Sequence, residues 1–425
     1  MTKKIFTILL VIIILVVIGL LIGFLLVKDT PQGKNVTQTV ANFFPFGKTP
    51  DDINQNPNTD TSSTDPTGTD TGTVVDARPV PRLRQVSTSP VSGMTTFDVK
   101  NGSTTSTSIR YVDRATGNIF ETKTDSLTVT RLSNRTIPKV YEATWTGASS
   151  TLLQYTRDGT DNIQTFFAKL VATKATSSDT VVGSIETTAL PTNIAGLAVS
   201  PSKTKVFYLS GGGNSITGII ANLDGGGAKE VFASPSTEWV PSWPNEGIIA
   251  LQTKASAVAP GYLYFLNTKT GILTKALGGQ NGLTALVSPD ATTAVISEST
   301  RRGISTSIAD IKNSSVIQTP LSTLPEKCAW SVVEAKSVFC GANTGGVLAP
   351  ANYPDDWYQG LVSFSDEVVK IDAVTATPIV VANLSDLANG NTFDVIKPTL
   401  TPREDYLVFI NKKDSTLWSL RIAGN

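Results

Sequence analysis

Histidine is absent from all 425 residues. Ser-His-Asp and Cys-His catalysis and imidazole metal ligation are therefore excluded within this chain. Cysteine occurs twice, at Cys328 and Cys340, too few for a zinc site unless carboxylates complete it. Charge is scarce: 16% of residues, with 35 basic and 35 acidic groups and a net charge of zero. No basic stripe of the kind that neutralises phosphates is present, so nucleic acid is not an expected partner. The glycine runs 211–213 and 225–227 lie between strand-like segments, not ahead of a helix, and read as turns instead of phosphate cradles. No Asp-x-Asp-x-Asp calcium loop occurs, and no cofactor is implied.

What is there is a repeat. Strand-like runs end on Thr146, Ser200, Ser242, Ser288, Ser331 and Thr401, several followed by proline. Seven residues after each stands Leu153, Phe207, Ile249, Val295, Val338 and Val408, apolar every time. In the middle of the chain the anchors recur every 42 to 46 residues, the length of one four-stranded propeller blade. The expected fold class is all-β, a β-propeller over residues 81–425.

The N-terminal end differs. Residues 1–4 read as a cytoplasmic stub. Residues 5–27 carry no charge and reach roughly 35 Å as a helix, long enough to cross a bilayer. Lys3 and Lys4 before them place the N-terminus inside and all that follows outside. The run exceeds a signal-peptide core and no A-x-A-like site follows, so an uncleaved single-pass anchor is expected over a cleaved signal. Residues 28–80 read as a disordered Thr/Asp/Pro-rich tether, of net charge −4 between Lys48 and Arg78. Its r.m.s. reach is about 40 Å. Ala41–Phe46 interrupts it with three Phe around a Pro, either a short docking motif or a sticky juxtamembrane segment.

Period-2 patterning and turn residues divide 81–425 into blades. Three are regular, at 194–233, 238–277 and 283–319. Two looser ones precede them, at 91–132 and 140–189. Lys327–Leu384 is a blade with an insertion, and the last, Val395–Ile422, has only three strands. An unfinished blade would leave an open edge. Leu83–Ser87 is expected to supply the missing strand, which makes seven blades; irregular spacing before Ser200 and after Ser331 leaves six or eight as alternatives.

The turn Ser288-Pro289-Asp290, with looser versions at Ser200-Pro201-Ser202 and Thr401-Pro402-Arg403, resembles the TolB/WD40-like propeller repeats. The Trp-Asp and Gly-His marks of true WD40 blades are absent. The layout also looks like membrane-anchored single-pass propellers of candidate-phylum bacteria, through Tyr111–Gly117 and Trp357–Gly360. The resemblance covers roughly residues 80–425 and implies a fold and an exposed address, not an activity. With the sequence stopping at Asn425, the hydrolase domain of prolyl-oligopeptidase relatives is not expected.

The candidate site lies in the insertion Gly341–Gly360. Tyr353, Asp355, Asp356, Trp357 and Tyr358 combine aromatics with carboxylates on a long loop, the makings of a partner-binding surface. The alternative is a loop folded over its own blade, with Trp357 buried. Asp355 and Asp356 could instead form an acid/base pair or ligate a cation, though adjacent carboxylates are common in loops. Trp145, Trp239, Trp243 and Trp330 fall on innermost strands, either packing between blades or lining a channel. A hairpin centred on Glu334 sets Cys328 opposite Cys340 and permits a disulfide; a one-residue slip would forbid it. The favoured function is an extracytoplasmic binding or scaffolding module for an envelope protein, peptide or glycan. The rival is a carboxylate-dependent surface enzyme acting at the propeller mouth.

Overall fold

The computed structural model describes residues 79–423 except 157–161, 172–182, 213, 345–347 and 349–350. The expected anchor, tether and Ala41–Phe46 motif lie outside the described residues. Among the described residues no helix is long and apolar enough to cross a membrane.

Seven four-stranded antiparallel sheets make a seven-bladed β-propeller. The innermost strands, in chain order, are Val91–Asn101, Val140–Gly147, Ile194–Val199, Trp239–Asn245, Thr284–Val287, Cys328–Trp330 and Val395–Leu400. These open blades 1 to 7. Blade 7 draws its outermost strand, Leu83–Gln85, from ahead of blade 1. Leu83 pairs with Leu420, Arg84 with Ser419 and Gln85 with Trp418. Strands from the two ends of the fold thus close the ring, as the unfinished last blade required.

The sequence repeat has a physical cause. The hydroxyls of Ser200, Ser288 and Thr401 accept the backbone N–H of Lys205, Thr293 and Tyr406, tying off the hairpin between the first and second strands. Three residues past each anchor, Lys203, Ala291 and Glu404 adopt left-handed φ of 59°, 56° and 57°. Each donates its N–H to the anchor's carbonyl. The chain then re-enters as the second strand, and all six apolar partners of the anchors are fully buried.

The core is a ring of inter-blade layers. Val112 and Ile119 of blade 1 pack with Trp145 and Leu153 of blade 2. Phe207 and Leu209 of blade 3 pack with Trp243 and Ile249 of blade 4. Val91, Met94 and Ile109 of blade 1 meet Val408, Ile410 and Leu417 of blade 7 across the closure. The innermost-strand tryptophans therefore pack between blades: Trp145 and Trp243 are buried, Trp239 stacks edge-on against Phe232 and Tyr264, and Trp330 donates its indole N–H to Leu286 O at 3.2 Å.

Blade 6 holds both cysteines. Cys328 and Cys340 face each other across its first two strands, and their sulfurs are bonded, with Cα atoms 4.0 Å apart. The insertion lies between the second and third strands of this blade, Ser337–Ala342 and Glu367–Asp372.

Candidate functional site

In an antiparallel blade the hairpin joining strands two and three lies at the opposite end from the other two hairpins. The insertion of blade 6 therefore belongs to the end that carries residues 254–259 of blade 4 and Lys412–Lys413 of blade 7. It reaches both. The backbone N–H of Ala257 donates to Asp355 Oδ2 at 2.6 Å, and Lys412 Nζ donates to the carbonyl of Trp357 at 2.7 Å.

The insertion folds through one helical turn, Asp355–Tyr358. Asp356, within the turn, accepts the N–H of Asn352 at 2.8 Å and so ties the turn to the chain ahead of it. Both expected acid/base carboxylates are thus occupied by backbone donors. Tyr353 and Trp357 point inward, Trp357 with only 3% of its surface exposed. They pack with Ile304, Leu324, Leu348 and Phe364. The expectation that these two aromatics anchor a partner is corrected by their burial: they hold the loop down. Tyr358 is the aromatic left at the surface, 43% exposed, with its hydroxyl donating to Glu326.

Beneath the insertion is a charge cluster that sequence reasoning missed. Lys327, just ahead of the first strand of blade 6, has no solvent exposure. Its ammonium donates to Asp366 Oδ2 at 2.7 Å and to Asp394 Oδ1. Both carboxylates are equally buried. Asp366 Oδ2 also accepts the N–H of Val395 at 2.6 Å. Asp394 Oδ2 accepts the Trp357 indole N–H at 2.9 Å and the Phe364 N–H at 3.1 Å. The Lys327 ammonium lies 4.5 Å from the centre of the Phe364 ring, a favourable cation–π placement. Asp366 Oδ1 has no hydrogen-bond partner among the described residues.

Packing here is tight. A Cβ added at Gly341 would come within 2.5 Å of Val395 Cβ and 3.0 Å of Asp366 Oδ2, so only glycine fits beside the cluster. Burial pushes the Asp366 carboxyl up to about 6, against the opposing pull of Lys327. Burial likewise lowers the Lys412 ammonium, with Asp394 working the other way.

The other end of blade 6 is built differently. Its first hairpin exposes Val332 at 76% and Val333 at 65%. Glu404 of blade 7 accepts the N–H groups of both, at 2.7 and 3.1 Å, and the Ser331 hydroxyl at 2.7 Å. Alongside lies a cleft of about 260 Å³ lined by Ser288, Pro289, Trp330, Val332, Ala335 and Lys336. Exposed Val374 stands on the neighbouring hairpin of the same end, joined by the Ala373 N–H to Lys336 O bond of 2.8 Å.

The fold defines a seven-bladed β-propeller with a closed ring. Among solved structures the chain is similar to TolB from Acinetobacter baumannii, at 9% identity over 67% of this chain and 78% of that one, with a TM-score of 0.41. It is also similar to oligogalacturonate lyase from Vibrio parahaemolyticus, at 10% identity over 79% and 99% with a TM-score of 0.46. A third is the β-propeller domain of the Trilobed protease from Pyrococcus furiosus, at 9% identity over 77% and 96%, TM-score 0.46. At such identities the likeness is one of architecture alone, and a fold of this kind does not name a function. No protein-family model matches the chain, and no curated protein does.

Proposed function

We propose that this protein is a non-enzymatic binding module of the cell envelope. It is held outside the cytoplasm by residues 5–27 and takes a protein, peptide or glycan partner on blade 6. The observation that carries this reading is the hairpin of Val332 and Val333. Two valines are turned into water while the neighbouring blade fixes their backbone through Glu404. A rigid apolar projection beside a cleft lined by Pro289, Trp330 and the Lys336–Asp290 ion pair loses little conformational entropy on binding. The Cys328–Cys340 bond stiffens the same hairpin and suits an oxidising compartment. On the opposite end of the blade, Tyr358 and Leu361 form the exposed crest of the insertion, supported from below by Tyr353 and Trp357. The rival enzymatic reading requires converging carboxylates open to a substrate. One converging pair, Asp366 and Asp394, is sealed and shares Lys327; another, Asp98 and Asp405, is neutralised by Arg403 between them.

The test is capture from native membranes by the soluble fragment 80–425. Val332→Asp with Val333→Asp should weaken capture at least about tenfold, equivalent to about 1.4 kcal/mol. Tyr358→Ala with Leu361→Ala reports on the other end. Undiminished capture by both folded variants would remove blade 6 as the contact. A cysteine reporter in the tether should label with an impermeant maleimide on intact cells; labelling only after lysis would reverse the topology.

A further inference from the structure

The Lys327–Asp366–Asp394 cluster carries an uneven charge. One buried ammonium stands against two buried carboxyls. Asp394 is fully engaged by Lys327, the Trp357 indole and the Phe364 amide. Among the described residues Asp366 is engaged through Oδ2 only, and its Oδ1 meets no hydrogen-bond partner. An ionised Asp366 therefore leaves one negative charge uncompensated in an apolar site, which is costly. The other ionisable groups of the site do not remove the imbalance: Glu326, next to Lys327, is a further carboxyl, pushed up by burial and bonded to the Tyr358 hydroxyl. Lys412, from blade 7, donates to the Trp357 carbonyl and keeps its charge, which acts on Asp394 and not on Asp366. The hydroxyl of Tyr353, from the insertion, is pushed up by burial and by Asp356 and Asp394, so it stays neutral.

We propose that Asp366 is a proton switch for the insertion: with a proton on Oδ1 the cluster is neutral and clamps Trp357 and Phe364 onto the propeller, and release of that proton to solvent loosens residues 353–364. Trp357, Phe364 and Tyr353, one aromatic cluster in the closed form, become accessible when the clamp slackens. The insertion thus keeps its aromatic cluster closed in mild acid and opens it more often near neutrality. This rests on the cluster's geometry and stands whether or not blade 6 binds a partner.

The sign follows from linkage. In the folded chain the carboxyl titrates at about 6, above its ordinary 3.8. The folded state therefore binds the extra proton. The stabilisation is complete below the ordinary value and is lost as pH rises through the folded one. Between about pH 5 and about pH 7.5 the clamp should weaken by about tenfold.

Hydrogen exchange of the full chain in detergent tests this, corrected for the intrinsic pH dependence of exchange. Protection of peptides spanning 353–364 should fall about tenfold over that window relative to peptides of blade 3. Asp366→Asn, which cannot ionise, should hold that protection flat. Identical pH profiles for the two proteins, or protection that rises with pH, would overturn the proposal. A second measurement covers the case in which the variant does not fold. Carboxyl-carbon NMR titration of the wild-type chain should show one solvent-shielded aspartate titrating near 6. A chain whose aspartates all titrate below about 5 has no such switch.

Discussion

The indole N–H of Trp357 donates to Asp394 Oδ2 at 2.9 Å, so an insertion of blade 6 is bonded to the start of the innermost strand of blade 7. The bond is one of several polar links across this blade boundary, beside Lys327 to Asp394, the Val395 N–H to Asp366 and the Glu404 contacts. It makes the insertion part of the ring.

Trp357→Ala should accordingly destabilise the domain. It removes a buried aromatic, breaks the bond to Asp394 and opens a cavity against Phe364. A loss of about 3–5 kcal/mol is expected. Tyr358→Ala, at a side chain nearly half exposed, should change stability by less than about 1 kcal/mol. Urea unfolding of the two variants separates them, and equal midpoints would show that the insertion contributes nothing to the fold.

Lys327→Met should be more damaging than its conservative length suggests. It leaves Asp366 and Asp394 facing each other without a cation in a fully buried site. Breaking such a set by deleting one partner costs about 3–5 kcal/mol. Lys327→Met combined with Asp366→Asn should recover part of that loss, because one of the stranded charges is removed with its counter-ion. A double variant no more stable than Lys327→Met alone would show that the cluster is not held by charge balance.

How much of this was legible beforehand depends on the kind of interaction. The blades were readable because the Ser and Thr anchors and their apolar partners are local features, seven residues apart and set by one hairpin. Ring closure was readable because an unfinished blade demands a strand. The register of Cys328 and Cys340 followed from turn position. The charge cluster was not readable. Lys327, Asp366 and Asp394 lie 39 and 28 residues apart in sequence, and nothing periodic marks a buried lysine. The one available hint was a phenylalanine just ahead of each aspartate, in Phe364-Ser365-Asp366 and Phe393-Asp394. For the same reason sequence left Trp357 open between a surface anchor and a residue buried under its own loop: its bond to Asp394 joins positions 37 residues apart that no pattern links.

The disulfide offers a third prediction. Cys328 and Cys340 close a loop of 12 residues around the Val332–Val333 hairpin. Cross-linking a loop of that size restricts the unfolded chain by about 3 kcal/mol in the chain-entropy account. Cys328→Ser with Cys340→Ser should lose about 2–3 kcal/mol while the ring stays closed. Both cysteines are buried, so mild reductants should act slowly on the folded protein. Non-reducing peptide mapping should return the two residues in one linked peptide pair. Free thiols at both positions in protein from its native compartment would contradict the bond.

Ring closure can be tested by two truncations that differ by nine residues. Deleting residues 1–79 leaves Leu83–Gln85 in place beside Leu417–Arg421. Deleting 1–88 removes that strand together with Val86 and Ser87. The second cut takes away buried Leu83, which packs with Phe393, Leu407 and Leu420. It also removes Arg84, whose guanidinium donates to Lys123 O at 2.9 Å and Thr122 Oγ1 at 2.7 Å and so links blade 7 to blade 1. Val86, packed among Val91, Ile109 and Ile410, goes with them. Two buried apolar side chains contribute about 3–6 kcal/mol between them, before the hydrogen bonds of the lost strand are counted. The shorter fragment should therefore melt well below the longer one. It should also self-associate, because Leu417–Arg421 becomes an unpaired edge. Equal melting temperatures and a monomeric shorter fragment would mean that the ring holds without its closing strand.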